Sequence, residues 1–132
     1  MDGKLTFEEL SEEYRAMARN IPNPIRPDLY KAMRGMLTDA ESSWRKAKDE
    51  NVSDTVIDGL RDRLRKEEQL AKVIIDMRVD YIFKHRNAPE YILTPEEREL
   101  KAELDSVRAS TVERLTSYVM GEQDTENRRS EQ

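Results

Sequence analysis

The chain has 132 residues, 36% of them hydrophobic and 39% charged, with 23 basic and 28 acidic side chains, a net charge of −5 and no cysteine. One domain is expected at this length, and the missing cysteines exclude a disulfide framework, a thiolate metal site and a cysteine nucleophile. The single histidine, His85, leaves too few imidazoles for a zinc centre or a helical di-iron site, so metal chemistry would have to be all-carboxylate; no cofactor or metal is expected.

Leu, Ile, Val and Phe supply only about a fifth of the residues, close to the level of disordered chains. The charges nearly cancel, however, and high charge with low net charge suits long helices with solvated faces. The longest aliphatic run, Val73-Ile74-Ile75, is far short of the roughly 20 residues of a membrane helix, and Met1-Asp2-Gly3-Lys4-Leu5 lacks a signal-peptide core. A soluble cytoplasmic protein is therefore expected. The acidic balance argues against nucleic-acid binding driven by bulk charge.

Thr6-Phe7-Glu8-Glu9 forms a capping box that opens a helix to about Arg19, with Phe7, Leu10, Tyr14 and Met17 on one face. Three prolines between Ile21 and Pro27 break it and hold the chain extended. A second helix is predicted from Pro27 or Asp28 to about Asp49, striped by Leu29, Met33, Met36 or Leu37, Ala40, Trp44 and Ala47. Ser53 or Asp54 caps a third helix to Lys84, carrying Ile57, Leu60, Leu64, Ala71, Ile74, Met77 or Arg78, and Tyr81. At 1.5 Å per residue it spans roughly 45 Å, which implies an elongated bundle.

Tyr91-Ile92-Leu93 makes the next connector apolar enough to fold back. Thr94-Pro95-Glu96-Glu97 is a second capping box with proline at the first helical position. Leu100, Leu104, Val107, Thr111, Leu115 and Tyr118 or Val119 continue that helix to Gly121, a natural left-handed stop. The expected organisation is an all-α helical domain over residues 1–121 and a polar, disordered tail or linker over 122–132, which contains no apolar residue.

Few side chains suggest chemistry. Glu8-Glu9 and Glu12-Glu13 resemble half of the acidic set of an all-α nucleotide pyrophosphohydrolase, but no second Glu-x-x-Asp faces them, and acids in a first helical turn are favoured by the helix dipole. Asp76 and Asp80 form a one-turn acidic pair with Lys72 and Arg78 near enough to be ion-pair partners. His85 suits a helix C-terminus better than general-base work. Arg61, Arg63, Arg65 and Lys66 form the densest basic run and a possible contact patch for phosphates, although Asp62 and Glu67 stand in i,i+4 register to absorb charge. Trp44 and the five tyrosines read as core or interface anchors. Arg78 lies within the most apolar stretch of the third helix, where a guanidinium needs a carboxylate from another helix or subunit, or a stem that snorkels to solvent.

The ordered set Leu5-Thr6-x-x-Glu9-Leu10-x-x-x-Tyr14-Arg15, Ile21-Pro22, Pro27-Asp28-Leu29-Tyr30, Ile74-Ile75-x-x-Arg78-x-x-Tyr81-Ile82 and Leu93-Thr94-Pro95-Glu96-Glu97-x-x-Leu100-x-x-x-Leu104 resembles the helical A domain of archaeal GINS subunits of the A-domain-first type. The resemblance runs from about residue 5 to residue 120. It implies a non-catalytic scaffold that assembles through its long helices with other GINS subunits or with itself. Such a complex serves DNA replication, joins the MCM helicase to a RecJ-like protein and contacts primase. It also implies that Tyr14, Arg15, Leu29 and Tyr30 shape the N-terminal packing and that Ile74, Arg78, Tyr81 and Ile82 lie in the core or subunit seam. Members of that type continue into a small β-rich B domain, whereas this sequence ends in the polar tail. The alternatives are the carboxylate-dependent pyrophosphohydrolase and a small helical nucleic-acid-binding module built on the basic run.

Overall fold

A computed structural model describes residues 3–19, 26–85 and 87–121. The proline connector over 20–25 and the tail over 122–132 lie outside these residues.

Helix α1 (Phe7–Ala18) starts from the expected reciprocal box. The Glu9 N–H donates to Thr6 Oγ1 at 3.1 Å, and the Thr6 N–H donates to Glu9 Oε1 at 3.3 Å. Helix α2 (Leu29–Asp49) follows Asp28, whose carboxylate accepts two bonds from Arg26, at 2.6 and 3.0 Å, and makes no side-chain cap. At its far end Asn51 takes a positive φ of 53°. The Asn51 N–H reaches the Lys48 carbonyl and the Val52 N–H reaches the Ala47 carbonyl, each at 3.2 Å. This Schellman stop turns the chain back on itself, with asparagine in the position glycine commonly fills.

Helix α3 (Asp54–Lys84) is capped by Ser53, which accepts from the Val56 N–H at 3.4 Å. Its 31 residues are the spine against which α1, α2 and the following helix all pack. His85 caps its C-terminus, and the imidazole stacks on Tyr81 with ring centroids 4.2 Å apart. A short 3-10 turn over Glu90–Ile92 buries Ile92 and Leu93. Tyr91, expected to fold back with them, is instead 70% exposed, because at about three residues per turn three successive side chains cannot all face the body.

Helix α4 (Pro95–Val119) begins with the second capping box and ends at Gly121, whose φ of +83° supplies the left-handed stop. Among the described residues there is no strand, so the chain is all-α, an elongated bundle of four helices. No described helix is long and apolar enough to cross a membrane.

The apolar interior falls into two clusters. Leu5, Leu10, Leu29, Met33, Met36, Ala71 and Ile74 join the N-terminal segment to α1, α2 and the middle of α3. Ile82, Ala88, Ile92 and Leu93, with Leu100 and Leu104 against them, join the end of α3 to the connector and the start of α4. The α4 stripe is thus used only as far as Leu104. Val107, Val112, Leu115, Tyr118 and Val119 are all more than half exposed, because the last part of α4 runs beyond the body.

Candidate functional site: a buried charge cluster and an uncovered helix

Arg78 occupies the α3 turn between Ile74 of the first apolar cluster and Ile82 of the second. Its guanidinium does not turn to Asp76 or Asp80 on its own helix, and Asp80 pairs with Lys84 at 2.9 Å. It reaches Glu97 at the third position of α4, donating from Nε to Oε2 at 2.8 Å and from Nη2 to Oε1 at 2.6 Å. Nη2 also donates to the Ile92 carbonyl at 2.8 Å.

Glu97 is only 2% exposed and its carboxylate is fully engaged. Besides the Arg78 fork it accepts the Tyr30 hydroxyl at 2.5 Å and the Thr94 N–H at 3.0 Å. Residue Glu97 therefore completes a helix cap and neutralises a buried cation at once. Burial opposes its ionisation, and the donors from Arg78, Tyr30 and Thr94 outweigh that, holding the carboxyl below its ordinary range. Burial likewise works against the Arg78 cation but Glu97 overcomes it. The Tyr30 phenol is pushed well up, by burial and then by its bond to Glu97. The Arg78 guanidinium also lies 5.7 Å from the centroid of the Tyr81 ring.

The cluster brings together Tyr30, Arg78 and Tyr81 from the expected set, with Leu29, Ile74 and Ile82 buried around it. Tyr14, 37% exposed, and Arg15, exposed, stand outside this cluster. They point outward because α1 is a single amphipathic layer whose inner side is taken by Leu10 and Met17.

The basic run is a solvated surface. Arg61, Arg63, Arg65 and Lys66 are all exposed; Arg63 pairs with Glu67 at 3.3 Å and Lys66 with Asp62 at 3.0 Å. Glu8, Glu9 and Glu12 are exposed. Glu13 is half-buried, with its carboxyl raised by burial against the pull of Arg78 and Arg26. Among the described residues no three His, Asp or Glu side chains gather as a metal site. Trp44 is half-buried, with the Lys48 ammonium 4.5 Å from its ring centroid.

Two features went unread in the sequence. Glu97 carried a signal only as a capping residue. Glu67, 2% exposed, stands on the α3 stripe between Leu64 and Ala71, where the 3.6 period demands an apolar residue. Its Oε2 is buried and, among the described residues, has no hydrogen-bond partner, a state that costs about 1–3 kcal/mol for a buried acceptor.

Comparison of the chain with family models, with curated proteins and with solved structures finds no match.

Proposed function

We propose that the chain is an assembly subunit of the GINS type, a scaffold that works by binding other proteins. The observation that carries this reading is the uncovered end of α4. Val107, Val112, Leu115, Tyr118 and Val119 stand in water on a helix that has already left the body. An isolated stretch of this length is marginal as a helix by itself, so it gains most when its apolar side is covered by another chain. The buried cluster supports the same reading. Tyr30, Arg78 and Glu97 come from three of the ordered segments that resemble the GINS A domain, and these distant segments meet in one hydrogen-bonded group.

The partners this reading assigns are other GINS subunits or a second copy. Through the assembled complex they extend to the MCM helicase, a RecJ-like protein and primase, in the cytoplasm at the nucleoid. Sedimentation of the chain alone and with a second GINS-type subunit tests it. The expected result is a complex, lost in Val107→Asp and Leu115→Asp. Both side chains are already exposed, so thermal stability should change by no more than about 0.5 kcal/mol. A strictly monomeric chain that binds no GINS subunit would refute the proposal.

A further inference from the structure

The two buried glutamates differ in one respect. Glu97 is saturated with donors, whereas Glu67 has one oxygen held by Arg63 and one with no partner. Glu67 lines a groove of about 350 Å³ between the N-terminal segment, α2 and α3. Its apolar walls come from Leu5, Phe7, Met36, Ala40 and Leu60. We propose that this groove receives the guanidinium of an arginine side chain presented by a partner protein.

Three observations select that ligand. The unpartnered oxygen is an acceptor, so whatever completes it must bring an N–H or O–H donor, and a cationic donor makes the strongest bond. The apolar walls suit a methylene stem behind that cation, as arginine and lysine provide. The lining charges pair off, Lys4 with Asp39 and Arg63 with Glu67, each at 3.3 Å, so the groove leaves one acceptor oxygen to complete, which suits a single guanidinium and not a polyamine. Arginine is favoured over lysine because its planar, weakly hydrated fork loses less on leaving water. Glu67 Oε2 is itself buried, so entry requires movement of Arg63, whose side chain is 67% exposed and which holds Glu67 by one bond of 3.3 Å. A surface arm of that kind swings aside at small cost. The site stands on this geometry alone and does not depend on the chain belonging to the GINS type.

The test is an NMR titration of the full chain with N-acetylarginine methylamide, and with the uncharged citrulline analogue as control. Saturable shifts are expected at the Leu5, Met36 and Leu60 methyl groups with the arginine compound alone. Glu67→Gln should weaken binding by about tenfold or more. Glu67→Met should abolish it while keeping or raising the melting temperature, since a buried acceptor without a partner is removed. The two variants are read independently, so a folding defect in one leaves the other decisive. Equal response to the citrulline analogue, unchanged affinity in Glu67→Gln, persistence of the shifts in Glu67→Met, or no saturable shift would overturn the proposal.

Discussion

Replacing Arg78 by methionine keeps the length of the stem and deletes the charge. The structure gives the consequences bond by bond. Glu97 loses both forks of the guanidinium and the Ile92 carbonyl loses its donor, while the carboxylate stays 2% exposed with only Tyr30 and Thr94 left to it. Removing one partner of a buried pair in this way costs about 3–5 kcal/mol, most of it from the stranded charge. For a domain of this size that corresponds to a fall of roughly 10–20 °C in melting temperature. Chemical and thermal denaturation followed by circular dichroism measure it, and the double variant Arg78→Met with Glu97→Gln isolates the coupling. Neutralising the stranded acid should return a large part of the loss. Acid sharpens the test. Glu97 titrates below its ordinary range in the folded chain, so its contribution is complete above the unfolded carboxyl value of about 4.3. It drains away as pH falls through the folded value, and this slope should vanish in Glu97→Gln. A loss under about 1 kcal/mol for Arg78→Met, or additive effects in the double variant, would refute the assignment of the pair as the pin between the two clusters.

Tyr30 makes an alkaline counterpart: its folded phenol holds its proton above the ordinary value of about 10, so the stability it adds is present below that pH and is lost as pH rises toward the folded value. Spectrophotometric titration should show one tyrosine lagging the others, and Tyr30→Phe should remove that lag and cost about 1–2 kcal/mol by urea denaturation. Gly35→Ala and Gly59→Ala should each stabilise by about 0.5–1 kcal/mol. Both glycines lie inside helices, and a Cβ added at either meets nothing within 4 Å. Gly121→Ala, at a φ of +83°, should instead destabilise the end of α4 by about 1 kcal/mol, read as faster amide exchange in the last helical turn.

Helix ends were the most legible part of this chain, because caps are local. Thr6 with Glu9, Thr94 with Glu97, and Gly121 each act within four residues, and each does in the structure what its spacing predicts. Periodicity told which side of α4 is apolar but not whether anything covers it, since the pattern at Leu104 and at Leu115 is the same and only the path of the rest of the chain separates them. The demand of Arg78 for a carboxylate followed from its apolar neighbours. The identity of the carboxylate did not, because Glu97 had already been accounted for as a cap. Glu67 hid in plain charge: it sits beside Arg63, Arg65 and Lys66, and only counting turns from Leu60 through Leu64 to Ala71 shows that it faces inward.

The Arg78–Glu97 pair also sets an angle. Glu97 lies at the base of α4, and Val119 is carried about 33 Å further along a straight helix, so a tilt of about 5° at the base would move the tip by roughly 3 Å. That is the width of a side-chain contact. A partner that reads the outer turns of α4 therefore depends on a hydrogen-bonded fork it never touches. Through that fork the base of the helix, fixed in the interior, determines where the outer turns point.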